Sequence, residues 1–173
     1  YGMKRSAAAL HGQWGHVPAA VVRALESPDK NAPRIWLHAV SVGEQIAARP
    51  VLRALRQALP SSRIALSVTT DTGYQTAGAA VKANEADAVF YFPVDAPIAI
   101  KRSLSAIRPD VFLIMETELW PNMLHLAKTF GAKTFLVNGR GSDNLALRAP
   151  RLGWIWRWMI SNLDGMLMRS ASD

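Results

Sequence analysis

Ile35 to Pro50 reads IWLHAVSVGEQIAARP, and the chain changes character in the middle of it. Ile35–Val40 is a β-type run. Ser41 and Gly43 form a polar corner, and from Glu44 to Leu59 the spacing of Ala48, Val51, Leu52, Leu55 and Leu59 puts one apolar stripe on a helix. The unit recurs. Further β-type runs at Ile64–Thr69, Ala88–Tyr91, Val111–Met115, Thr134–Val137 and Gly165–Met168 alternate with helical patterns at Thr72–Ala83, Ala96–Ile107, Pro121–Phe130 and Leu147–Leu163. The runs at 64–69, 111–115 and 134–137 are mostly apolar rather than alternating, as strands covered on both faces are. The expectation is an α/β fold: an open parallel sheet with helices on both faces. Pro50 should kink the first helix near its start. Residues 1–33 fit no strand and read as a basic, helical or irregular lead-in to a domain running from 34 to 173.

Half of the 173 residues are apolar and 19% are charged, the composition of a globular domain with a core of its own. There is no cysteine, so disulfides and Cys-ligated zinc are excluded. The net charge of +7 suits an anionic partner: nucleic acid, acidic lipid or a phosphorylated sugar. No apolar stretch is long enough to span a bilayer and no signal peptide is visible. The chain begins without a methionine, and a membrane anchor ahead of the lead-in is an expectation.

In open α/β sheets ligands bind beyond the carboxyl ends of the strands. The turns there carry SVGE (Ser41, Gly43, Glu44), TTDTG (Thr70, Thr72, Gly73), FPVDAP, METELWPN (Glu116, Glu118, Trp120, Asn122) and NGR (Asn138, Arg140). Part of this is helix capping. Glu44 reads in two ways. It is a first-turn glutamate favoured by the helix macrodipole, or a general base at the mouth of the sheet. Glu116 directly follows a hydrophobic strand. It reads either as one half of an ion pair with Arg140 or as a functional carboxylate. Trp120 lines a sugar site or merely packs. There is no GxGxxG or P-loop pattern, and His11, His16, His38 and His125 show no metal spacing; His38 reads as a packed strand residue. In RLGWIWRWMISNL, the residues Leu152, Ile155, Trp156, Met159 and Leu163 form a core stripe. Trp154 and Trp158 lie beside it, on a face open to a membrane or a partner.

WLHAVSVGE, VTTDTG, YFPVDAP, RPDVFLIMETELWPN and LVNGRGS occur in this order. Together they resemble the N-terminal half of the Kdo transferases, which add 3-deoxy-D-manno-octulosonic acid to a lipid A precursor. Where many members read NARLS, this chain reads NGRGS. The resemblance implies a GT-B glycosyltransferase whose Rossmann-like N-terminal domain binds the acceptor, while an absent C-terminal domain binds the donor substrate CMP-Kdo. It implies Glu44 as catalytic base and Glu116 as the residue that stabilises the transition state. Ser41, Gly43, Thr70, Thr72, Gly73, Glu118, Trp120, Asn122, Asn138 and Arg140 become candidates for acceptor binding. It implies no cofactor and no metal, an anionic inner-membrane surface on the cytoplasmic side as partner, and no nucleic acid. This half alone is then expected to be inactive. The alternatives are another GT-B sugar transferase, or a non-catalytic basic domain that binds lipid or nucleic acid.

Overall fold

The computed structural model describes residues 6–116, 119–140 and 153–170. Six strands form one parallel sheet in the order β3-β2-β1-β4-β5-β6. They are β1 (Arg34–His38), β2 (Arg63–Val68), β3 (Ala88–Tyr91), β4 (Val111–Met115), β5 (Lys133–Gly139) and β6 (Gly165–Met168). Six helices are α1 (Ala7–Gln13), α2 (Ala19–Ala24), α3 (Val42–Ala58), α4 (Asp71–Lys82), α5 (Pro97–Ile107) and α6 (Pro121–Thr129); residues 153–161 form α7. All six expected strands are present, displaced by a residue or two at their ends. The lead-in resolves into α1 and α2. Helix α3 runs on through Pro50. Of the expected 147–163 helix, 147–152 lies outside the described residues.

Each face of the sheet has its own core. On one face Trp36, Phe90, Phe112, Ile100, Leu104, Leu124 and Leu136 pack together with α2, α5, α6 and α7. Trp36 sets its indole edge against Phe90 and Phe112, with ring centroids 5.0 and 5.2 Å apart, and donates its N–H to Ser67 Oγ at 2.7 Å. On the other face Leu37, Leu66, Val68 and Leu113 meet Ala48, Leu52, Ala77 and Ala80 of α3 and α4. Burial of these side chains, at roughly 25 cal/mol per Å2 of apolar surface, drives the layering. The strand order reverses between β1 and β4, paired in register His38↔Ile114. That reversal opens a crevice at the carboxyl ends of these two strands.

At the amino ends, four arginines fasten the helix layer to the sheet. Arg49 grips buried Glu85 through Nε and Nη2 at 2.6 and 2.8 Å, and Arg53 adds a contact at 3.3 Å. Arg56 and Arg63 hold Asp87. This network lies at the opposite end of the strands from the crevice.

Candidate functional site at the carboxyl ends of β1 and β4

Glu44 sits in the first turn of α3 and is 8% exposed. Ser41 caps the helix: its Oγ accepts from the Glu44 N–H at 3.1 Å. Glu44 reaches back. Its Oε1 accepts from Ser41 Oγ at 2.9 Å and its Oε2 from the Val40 N–H at 2.8 Å. This is a capping box with its backward arm reaching one residue further than usual. The local reading of Glu44 as a helix-start residue is therefore realised in full. The same bonds hold its carboxylate in one orientation at the crevice. Each oxygen keeps a lone pair beyond the bond it accepts.

The next corner adjoins this one. Thr70 caps α4 by accepting from the Gly73 N–H at 3.0 Å, and its Oγ1 lies 3.2 Å from that of Thr72. Thr69 Oγ1 donates to the Val40 carbonyl at 3.5 Å. The two glycines differ. A Cβ on Gly73 would lie 3.0 Å from Thr70 Oγ1, so close packing explains that glycine. A Cβ on Gly43 would meet nothing nearer than Ser41 Oγ at 3.8 Å, so packing does not explain it.

Glu116 ends β4 with φ at +58°, and Asn138 near the end of β5 has φ at +56°. Among the described residues two other non-glycine residues have positive φ. They are Arg108, which ends α5, and Asn84, just past α4, and helix termination explains them. No helix ends at Glu116 or Asn138. The left-handed conformation costs roughly 1–2 kcal/mol for a residue such as Glu. Glu116 Oε1 lies 3.2 Å from Arg140 Nη2, a pair in which the arginine is 49% and the glutamate 21% exposed. An ion pair this open returns at most about 1 kcal/mol and does not offset the backbone cost. Stability therefore does not account for this arrangement; strained backbone of this kind collects at functional sites.

Trp120 and Asn122 are used differently. Trp120 precedes α6 without offering a cap. Asp95, from the β3–α5 loop, supplies one by accepting from the Asn122 and Met123 N–H groups at 3.1 and 2.8 Å. The Asn122 side-chain NH2 binds the same loop, donating to the Asp95 carbonyl at 2.9 Å and carboxylate at 3.2 Å. Asn122 is thus a structural tie. Trp120 packs near Phe92, centroids 5.9 Å apart, and lines a cavity of about 370 Å3 with Gln13, Val40, Thr69, Phe92 and Asp95. Glu118 lies outside the described residues.

Two neighbours of the site, Asp95 in FPVDAP and Asp71 in TTDTG, stand in the carboxyl-end turns but were not among the acceptor candidates. Asp95 caps a helix 26 residues further on, a signal that only the folded chain contains. Asp71 accepts from Tyr91 Oη at 2.5 Å, Ser6 Oγ at 2.8 Å and the Ser6 N–H at 3.1 Å, which ties the lead-in to the β2–α4 corner. The Tyr91 hydroxyl and the Ser6 donors hold the Asp71 carboxyl below the usual carboxylate range. His38 is wholly buried, stacked on Phe92 at 3.7 Å. Burial pushes its pKa down to about 3, against a smaller opposing effect of the Ser67 carbonyl. It packs and stays neutral, as its strand position suggests. Among the described residues no three His, Asp or Glu side chains group as a metal site would need.

The profile of the 3-deoxy-D-manno-octulosonic-acid transferases (Kdo transferases) matches residues 13–173. The chain belongs to this family. A Kdo transferase of Bordetella pertussis is 35% identical over 178 residues, covering 99% of this chain and 41% of the relative. One of Haemophilus influenzae is 45% identical over 120 residues, 68% of this chain and 27% of the relative. A bifunctional glycosyltransferase/methyltransferase of Fusobacterium nucleatum is 31% identical over 144 residues, 83% of this chain and 22% of the relative. The chain thus spans less than half the length of these curated relatives. The sheet order and the crevice are those of a Rossmann-like domain, the fold expected for the N-terminal part of a Kdo transferase. Among the described residues no helix is long and apolar enough to cross a membrane.

Proposed function

We propose that this chain is the acceptor-binding part of a glycosyltransferase of lipopolysaccharide biosynthesis, one that moves Kdo from CMP-Kdo to a lipid A precursor. The observation that carries the reading is the carboxylate of Glu44. It is held in one orientation by Val40 and Ser41 at the crevice where β1 and β4 part, in a chain of the Kdo transferase family. Glu44 takes the proton from an acceptor sugar hydroxyl. The oxygen attacks the anomeric carbon of Kdo, the bond from that carbon to the CMP phosphate oxygen breaks, and CMP leaves with the electron pair. The transition state has oxocarbenium character, by analogy with glycoside hydrolysis, and the Glu116 carboxylate stabilises its positive charge. Ser41, Thr70, Thr72, Trp120, Asn138 and Arg140 surround the acceptor. The donor binds to a second domain outside these residues.

Exposed apolar side chains ring the crevice: Val42 and Ile46 on α3, Val94 and Ile98 beside α5. With the net positive charge, they suit docking at an anionic membrane surface, the cytoplasmic face of the inner membrane.

The capping geometry supports a rival reading in which Glu44 only starts a helix. Glu44→Gln, which keeps the shape and one acceptor, separates the two. In the full-length polypeptide, transfer from CMP-Kdo is expected to fall about 10²–10⁴-fold with acceptor binding retained and Tm nearly unchanged. Full transfer by this variant would leave Glu44 as a cap alone.

A further inference from the structure

The sheet is covered unevenly. On the face that carries Leu37, Leu66 and Leu113, the described helices are α3 and α4; α4 packs on β2 and β3, and the cluster they share reaches Met115 and Val137 but not β6. Toward the other edge that face holds Phe135, half-buried, Val137, buried in the same cluster, and then Leu167, which is 61% exposed. Leu136 and Val137 pair in register with Met166 and Leu167, so Met166 shares the α7 face and Leu167 the opposite one. Yet Met166 is 48% and Met168 38% exposed as well. Strand β6 pairs with β5 on one side and with no described strand on the other. A parallel strand is normally buried on both faces, and an open apolar edge is a template for pairing.

We propose that the outer edge of β6 and the face beside it seat a further stretch of the same polypeptide: one strand bonded to β6 and an amphipathic segment over Leu167 and the exposed part of Phe135. Lipid does not fit this surface, because it cannot satisfy the backbone N–H and C=O groups of a strand edge. The matched portion makes up 41% of the Bordetella relative, so more than half of that polypeptide lies outside it. A covalently attached segment reaches this edge at millimolar effective concentration, which favours it over a second copy in solution.

The test compares Leu167→Glu in the polypeptide of full encoded length and in the 173-residue chain, with Leu59→Glu as an exposed control far from the edge. In the full-length protein Leu167→Glu is expected to lower Tm by roughly 5 °C or more and to speed amide exchange in β5 and β6. The 173-residue chain is expected to sediment as a monomer, and there the substitution should leave Tm within about 1 °C of the parent. An equal loss in the 173-residue chain means the face is already covered from within and overturns the proposal. So does a dimer that the substitution dissolves, which makes a second copy the occupant, or an unchanged full-length Tm. None of these readouts measures transfer, so they stand or fall apart from the proposed activity.

Discussion

In the proposed reaction Glu44 serves folding and chemistry through the same bonds. Ser41 and Val40 satisfy its carboxylate, and in doing so they remove the rotamer freedom that a positioned base has to give up. Gly43, immediately before it, has no packing reason to be glycine, unlike Gly73. In the proposed reaction the open space over Gly43 is the path by which an acceptor hydroxyl reaches Glu44. Gly43→Val is therefore expected to leave Tm within about 1–2 °C, since the new side chain meets only Ser41 Oγ. Transfer by the full-length enzyme should fall by at least about tenfold, a barrier change of about 1.4 kcal/mol. A melting curve and an initial-rate assay on the same preparation check this. Unchanged transfer would remove the access role.

At the scale of elements, the helices that bound the crevice are started in two ways. Helices α3 and α4 carry their own caps, Ser41 and Thr70. Such caps are legible in sequence because the partner lies three residues away. Helix α6 borrows its cap from Asp95, and the Asn122 side-chain NH2 joins that tie. Sequence reading placed Asn122 among the acceptor ligands because the pairing depends on the β3–α5 loop folding back over the start of α6. Asp95→Ala should cost about 1–2 kcal/mol of stability, because it frees two N–H groups of α6, and should loosen Trp120 at the cavity. Urea unfolding followed by tryptophan fluorescence measures the first effect. The second predicts a rise in KM for the acceptor larger than the fall in kcat. A variant as stable as the parent would show that α6 finds its cap elsewhere.

At the scale of the molecule, the apolar runs and their alternation with helices were enough to state a parallel α/β sheet, and the sheet has that form. The order β3-β2-β1-β4-β5-β6 puts Glu44 and Glu116 just past the carboxyl ends of adjacent strands, β1 and β4. It depends on which strand each helix returns the chain to, and no single element encodes that. The left-handed Glu116 was likewise hidden, since glutamate does not signal positive φ; Asn138 is of a type that visits that region more readily. His38 was legible as a core residue, and its burial sets a property of the whole fold. Its pKa is about 3 in the folded chain against 6.5 for the free side chain. Between these values the unfolded chain takes up a proton that the folded one refuses, so falling pH favours unfolding. The stability tied to His38 is complete above about pH 6.5 and shrinks as the pH drops toward 3. The loss amounts to about 1 kcal/mol between pH 7 and 5.5. Asp71, Glu85 and Asp164 are held below the carboxylate range, so their contributions disappear only at lower pH. His38→Asn removes the proton acceptor from the unfolded chain. Whatever its absolute stability, the variant should show a flatter dependence of unfolding free energy on pH between 7 and 5.5, by about 1 kcal/mol. Parallel urea titrations at the two pH values measure the difference, and equal slopes for the two proteins would mean that His38 takes up its proton in the folded state as well.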